Sequence, residues 1–319
     1  MAKNLRAVVA LALAVTSLGA LAQFPSRPVK IIVPFPAGSA TDTITRILGN
    51  SVGAAIGQTV VVDNKAGADG AIAGAEVAKA APDGYTLLMA TNSPLSAVPA
   101  LRKNPPYDPV ADFTPITDIG RYTFFIVVHP GIQSKTVAEL IEQARAHPGK
   151  INYATGNTTG IVSTAFFASQ AKIDLVHVPY RGEPQAITDL LAGRVHLMFA
   201  SSSTTISHIR DGRLRALATA LPRRSHLLPD LPTIAEAGMP QFSIISWAGL
   251  FGPAKMPREI VERLNREFGA AMARPEVRAQ MEKQAFLLSP STPEQLAAFV
   301  KAQLESYRAT LRAAGVQPD

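Results

Sequence analysis

The chain has 319 residues, of which 47% are hydrophobic and 17% charged, with a formal net charge of +7. That length favours two domains over one, and the apolar share excludes a disordered chain. The absence of cysteine excludes disulfides, thiolate metal sites and cysteine-based redox chemistry.

The first element is a leader. Lys3 and Arg6 form a basic start, Ala7 to Leu21 is an almost unbroken apolar run, and Ala20-Leu21-Ala22 is a small-x-small cleavage pattern. Residues 1–22 are predicted to be a secretory signal peptide removed after Ala22; the alternative is an N-terminal anchor helix, for which the run is short. Loss of Lys3 and Arg6 leaves 29 bases against 24 acids, a charge of +5. The densest basic cluster, Arg210 to Arg215 with Arg223 and Arg224, has no interleaved aromatics, so no nucleic-acid partner is expected.

The mature chain then alternates. Val29–Phe35 reads as a buried strand and Asp42–Ile56 as a helix, with apolar residues at Ile44, Ile47, Leu48 and Val52. A strand at Thr59–Val62, a helix at Gly70–Ala80 and a strand at Tyr85–Ala90 complete a β-α-β-α-β series, which indicates a parallel sheet covered by helices. A proline-rich stretch, "RKNPPYDPVADFTPITDIG", separates this unit from an apolar strand at Phe124–Val128. The alternation restarts with helices at Thr136–Ala146, Gly160–Gln170 and Pro184–Leu191. Strands fall at Ile151–Ala154, Asp174–Pro179, Val195–Ala200 and Leu214–Thr219. Ser134 or Thr136 caps the first of these helices. A strand at Ser246–Gly252 follows, then an amphipathic helix interrupted at Pro275 and a last helix capped by Ser291 or Thr292.

Familiar catalytic patterns are missing or incomplete. "GADGAIAG" has Asp69 where a dinucleotide fingerprint needs its second glycine, and reads better as a tight turn with close helix packing. "PFPAGSATD" has the outline of a phosphate loop without its lysine. There is no Gly-x-Ser-x-Gly elbow, and Ser169-Gln170-Ala171-Lys172 lacks its companion motifs. The six histidines are dispersed. No metal, cofactor or catalytic residue is expected.

What recurs is a short loop of small polar residues at successive strand ends. These loops read "PAGSATD" (36–42), "TNSP" (91–94), "TGNTTG" (155–160) and "SSSTT" (201–205). In open α/β sheets ligands bind just beyond such ends, and helix N-termini behind two of the loops suit an anionic oxygen group.

The order and spacing of "PFPAGSATD", "VVVDNKAGADGAIAG", "AKAAPDGYTLL", "NPPYDPVADFTPI", "INYATGN", "VHVPYRG", "DLLAGRVHLMF", "LPDLPTIAEAG" and "EIVERLNREF" resemble the Bug-type solute-binding proteins of the tripartite tricarboxylate transporter family, nearly end to end. The resemblance implies a monomeric, non-enzymatic periplasmic receptor with an α/β, two-domain clamp of the type II binding-protein plan, hinged on two crossing strands. Residues 23–122 plus 248–319 would form domain 1, and residues 123–247 domain 2. Such a receptor closes on a small-molecule carboxylate and hands it to inner-membrane permease subunits.

The resemblance places ligand contacts on Ala37, Gly38, Ser39, Ala40, Thr41 and Asp42 of the first loop. Thr155, Asn157, Thr158 and Thr159 come from the facing loop. Asn92, Ser93, Tyr180, Arg181, Ser201 and Ser202 complete the cleft. Phe35, Phe124 and Trp247 are its aromatic walls, with Phe35 and Phe124 equally readable as core. Where the family commonly has consecutive glycines, Gly38 is followed here by Ser39 and Ala40, so Ser39 is expected to touch ligand. Ala200-Ser201-Ser202-Ser203 lacks the Asp or Asn often found there in the family, which argues for a ligand without an ammonium group. An aromatic mono- or dicarboxylate such as terephthalate fits these residue types. The alternatives are a transferase-like enzyme on the same scaffold and a ligand-presenting partner of a sensor kinase.

Overall fold

The computed structural model describes residues 24–221, 223–242 and 246–313; the leader expected over residues 1–22 lies outside them. β1 (Val29–Val33) leads into α1 (Ala40–Ile56), β2 (Val60–Asn64), a short 3-10 turn, α2 (Ala71–Ala78) and β3 (Thr86–Thr91). A π-helical turn (Ser93–Ala97) and α3 (Val98–Leu101) precede β4 (Phe113–Tyr122). Then come β5 (Phe124–Val128), α4 (Val137–Ala146), β6 (Asn152–Thr155), α5 (Thr158–Ala171), β7 (Val176–Pro179) and α6 (Glu183–Leu191). β8 (Leu197–Ser201), α7 (Ser202–Arg210) and β9 (Arg215–Thr219) follow. The chain ends with β10 (Trp247–Pro253), α8 (Arg258–Ala273), α9 (Pro275–Lys283), β11 (Phe286–Leu288) and α10 (Pro293–Ala313).

These strands form two sheets. The first has the order β11-β4-β10-β3-β1-β2 and the second β7-β6-β8-β5-β9. In the first, β1 runs parallel to β2 and β3, while β10 is antiparallel to β3 and β4. In the second, β6 runs parallel to β7 and β8, while β5 is antiparallel to β8 and β9. The plans correspond, so the β1–α1 and β6–α5 loops are equivalent corners of equivalent sheets. Central strands are apolar on both faces because helices cover both. Ile31, Ile32 and Val33 of β1 are fully buried, as are all five residues of β8.

Local chemistry sets the helix starts. Ser39 caps α1 by accepting a hydrogen bond from the Asp42 amide at 3.3 Å, and Asp42 accepts from the Gly38 amide at 3.0 Å. This reciprocal arrangement satisfies donors that a helix start leaves free. Gly57, with φ of 67°, ends the same helix in the left-handed region. Thr136 caps α4, and Asn157 caps α5. Thr292 and Gln295 cap α10 reciprocally at 3.2 and 3.0 Å.

Three elements differ from the sequence expectation. The proline-rich stretch contains the ten-residue β4. Its Pro115 sits at an irregularity in the β4–β10 ladder, beside the register shift between Leu250 and Phe251, where a missing N–H is tolerated. "SSSTT" opens α7 rather than a loop, since hydroxyl residues favour helix starts. β11 pairs with β4 at the sheet edge, a nonlocal partnership that three residues do not advertise.

The chain crosses from the first sheet to the second at Thr123 and returns between β9 and β10. At the first crossing the Ser202 amide donates to the Thr123 carbonyl at 2.8 Å, and the Thr123 hydroxyl donates to the Ala285 carbonyl at 2.7 Å. Ser202 also donates its hydroxyl to the Gln284 carbonyl at 2.8 Å.

Candidate functional site

The carboxyl ends of β1 and β6 face each other across the junction of the two sheets, and they enclose a polar cavity of about 30 Å³. The first half contributes Phe35, Ser39, Ala40 and Thr41 from the β1–α1 corner, with Thr91, Tyr122 and Ser246. The second contributes Gly156, Asn157 and Thr159 from the β6–α5 corner, with Phe124, Glu183 and Ser201. A second chamber of about 220 Å³ shares Tyr122, Phe124, Thr159 and Ser246 with it, and adds Arg121, Ser163, Ala220, Leu221, Arg223 and Leu287. The lips are closed. Gly182 lies so near Pro36 that an added Cβ would stand 2.7 Å from its ring, and the Thr158 amide donates across the junction to Ser93 Oγ at 3.2 Å.

Two helices aim their N-termini at the small cavity. The amides of Ala40 and Thr41, the first two helical residues of α1, have no intrahelical acceptor, nor does that of Thr159 at the second position of α5. All three residues line the cavity. Their N–H groups and the positive ends of the helix dipoles favour an anion there. The Tyr122 hydroxyl donates to Thr41 Oγ1 at 2.8 Å, which leaves the Thr41 proton to donate inward. Burial pushes the Tyr122 phenol far above its ordinary range, so it stays neutral. Ser39 lines the cavity while its oxygen caps α1, and its own proton remains to be donated.

Opposite these donors stands a carboxylate. Glu183, the first residue of α6, is 5% exposed and lines the cavity. It accepts from Asn157 Nδ2 at 2.9 Å, Thr204 Oγ1 at 2.9 Å, the Ser201 amide at 3.3 Å and the Ser201 hydroxyl at very short range. All of these partners are neutral. Burial raises its pKa above the ordinary glutamate value, against the lowering effect of Ser201, Thr204 and Asn157.

Of the residues expected from the sequence, the structure gathers Phe35, Ser39, Ala40, Thr41, Asn157, Thr159, Ser201 and Phe124 around the cavity. The others lie elsewhere for identifiable reasons. Trp247 is fully buried and packs edge-on against Phe299 of α10, so it is core rather than cleft wall. Asp42 turns away into a network with Arg46 at 2.9 Å and Asn64 at 3.0 Å. Ala37 and Gly38 are exposed, and the Gly38 amide is taken by Asp42.

Asn92 receives the Trp247 amide at 2.9 Å and donates to the Tyr307 hydroxyl at 2.9 Å, which makes it a brace between β10 and α10. Ser93 is the acceptor of the cross-junction bond from Thr158, and the Thr158 hydroxyl is itself buried without a partner. Thr155 meets His177 Nε2 at 2.7 Å. Tyr180 donates to Asp189 at 2.7 Å, Arg181 is exposed, and Ser202 holds the crossing at Thr123.

Sequence reasoning missed Tyr122, Ser246 and Glu183, while Thr91 and Gly156 lie in strand-end loops it named without being singled out as contacts. Glu183 follows directly on the strand-end run "VPYRG" and carried the same positional signal as the other loops. An acid in a first helical turn reads as a dipole partner, which hid it. Its presence also removes the premise that no acid in the cleft could face an ammonium group.

A family model described as "Tripartite tricarboxylate transporter family receptor" matches residues 44–316. The UPF0065 protein in the tcbD-tcbE intergenic region of Pseudomonas sp. (strain P51) is 38% identical over 310 residues, spanning 95% of this chain and 92% of that protein. The solved periplasmic binding protein BugD is 32% identical with a TM-score of 0.89, covering 93% of this chain and 100% of its own. An R. palustris protein solved with adipate is 31% identical with a TM-score of 0.90, again covering 93% and 100%. The two sheets therefore have the two-domain fold of periplasmic binding proteins. With its family match over most of the chain and its likeness to BugD, the chain belongs to the Bug-type receptors of the tripartite tricarboxylate transporter family.

Proposed function

We propose that the protein is a periplasmic, non-enzymatic receptor that closes on a small organic carboxylate and delivers it to the inner-membrane permease subunits of a tripartite transporter. The observation that carries this reading is the convergence of the α1 and α5 N-termini on one closed cavity. The first sheet with its helices, β10 from Trp247 onward included, acts as one lobe and the second sheet with its helices as the other, turning about Thr123. The carboxylate sits against the amides of Ala40, Thr41 and Thr159, and each charge-assisted hydrogen bond contributes about 1.5–3 kcal/mol. The adipate-bound relative supports the ligand class.

The ligand body extends past Phe35, Tyr122 and Phe124 into the larger chamber, which Arg223 and the Asp118-paired Arg121 also line. Aromatic walls favour an aromatic carboxylate of the benzoate and terephthalate type. Calorimetric titration of the mature protein with benzoate, terephthalate, adipate and citrate tests this. Heat of binding for the benzoates is the expected result. Binding of aliphatic acids alone removes the aromatic part of the reading, and binding of no carboxylate overturns the receptor assignment.

A further inference from the structure

The cavity has two chemically opposite poles. One is a set of free N–H donors on α1 and α5; the other is Glu183, a buried acid with no cationic neighbour among its hydrogen-bond partners. The hydrogen-bond partners of Glu183 favour its ionised form, against the burial that raises its pKa. Asn157 Nδ2 and the Ser201 amide can only donate, and the hydroxyls of Ser201 and Thr204 supply further protons. Glu183 also opens α6 and lies against the start of α7, so two helix dipoles favour its negative charge. The N-terminus of α7 is thus already filled by the chain's own carboxylate. Glu183 Oε1 accepts from Asn157 Nδ2 at 2.9 Å and, weakly, from the Ser201 amide at 3.4 Å, a donor shared with Oε2. The shared, long contact leaves acceptor capacity on a carboxylate that lines the cavity.

The small cavity, at about 30 Å³, holds only the head of a ligand; the body must occupy the adjoining chamber. A carboxylate bound to Ala40, Thr41 and Thr159 then has Glu183 close beside it. We infer that Glu183 is a specificity-determining residue that selects carboxylates bearing a hydrogen-bond donor, hydroxyl or ammonium, on the carbon next to the carboxylate, and that it rejects a second carboxylate at that position. The inference rests on the carboxylate-receptor reading above and ranks ligands within it: benzoate and terephthalate, which have no donor on that carbon, bind but bind more weakly than aromatic acids that carry one. A donor there gives Glu183 a further partner and offsets its repulsion of the carboxylate held by the α1 and α5 amides, whereas a second anion meets the same like charge with no N–H donors left to hold it.

One set of probes shares a single skeleton: 3-phenylpropionate, phenyllactate, phenylalanine and benzylmalonate. Titration calorimetry on the mature wild-type protein near neutral pH is expected to show phenyllactate and phenylalanine at least about tenfold tighter than 3-phenylpropionate, with benzylmalonate at least about tenfold weaker. In Glu183→Gln the four should draw to within about threefold of one another. The wild-type order stands as a test even where the variant fails to fold. Benzylmalonate binding as well as 3-phenylpropionate to wild type overturns the inference, as does an unchanged order in a folded Glu183→Gln protein. If the four are ignored while benzoate, terephthalate or adipate bind, the head-group inference fails alone. If no carboxylate binds, it falls together with the receptor reading.

Discussion

Gly182→Ala should prop the two halves of the protein apart. Gly182 has φ of −175° and ψ of 164°, an extended conformation that alanine adopts without strain. The added methyl would nevertheless lie 2.7 Å from Pro36 Cγ and 2.8 Å from Cδ, with Gln185 Oε1 at 3.3 Å. Carbon atoms rest at about 3.5–4.0 Å, so the lips must separate by about 1 Å. Overpacking of this size costs about 1–3 kcal/mol. Pro36 and Gly182 come from opposite halves, so that cost falls on the closed form alone. Any loss from placing alanine at the start of α6 is common to both forms. Ligand affinity should therefore drop about 5- to 150-fold, measured by calorimetric titration with the tightest-binding carboxylate. The melting temperature of the ligand-free protein should fall only through the cap loss, which is about 1 kcal/mol at most. Adding Pro36→Ala to the same chain should restore most of the lost affinity, because it removes both clashing ring carbons. Unchanged affinity in the folded single variant would refute the steric argument, and so would a double variant no better than the single.

Two further substitutions probe residues that the sequence had placed in the cleft. Asp42→Asn should cost about 1 kcal/mol near neutral pH in a denaturant titration, since Arg46 is half exposed and the ion pair is partly screened. Burial alone would raise the Asp42 pKa, but Arg46, the Gly38 amide and Asn64 outweigh it and hold the carboxyl below its ordinary value. Its stabilisation is thus complete above the unfolded value of about 4 and is lost as pH falls through the lower folded value, so the gap from wild type should close there. A gap constant into acid would show that the charge is not the cause. Thr158→Val replaces a buried hydroxyl that has no partner with a methyl of the same shape. It should leave stability unchanged or raise it by about 1–2 kcal/mol, with no loss of ligand affinity. A marked fall in either quantity would reveal a partner for that hydroxyl.

The legible part of the molecule was whatever depends on neighbours in sequence. Strand ends, the cap at Thr136 and the interruption at Pro275 follow from local periodicity and hydrogen-bonding capacity. The misread parts depend on distant chain. Pro115 argued against a strand, yet β10 tolerates it at an irregular point in the ladder. Trp247 looked like a cleft wall because it follows a crossing; Phe299, from the last helix, is what covers it. Asp42 belonged to the right loop, but Asn64 of β2, with Arg46 one turn later, draws its carboxylate outward. Glu183 had the right position and an ambiguous chemistry, and only the convergence of Asn157, Ser201 and Thr204 upon it distinguishes a cavity acid from an ordinary first-turn residue.

At the first crossing a single residue, Thr123, separates β4 from β5, and both its carbonyl and its hydroxyl are held. A tether this short has no slack to lose. On the proposed clamp reading, relative movement of the halves would reduce to rotation about a few backbone bonds, so closing would select among few arrangements rather than gather a loose pair from many. The ordering entropy that weakens association between flexibly linked modules is correspondingly small. More of the free energy gained on contacting the ligand is then expressed as affinity, which suits a receptor that must retain a small, strongly hydrated anion.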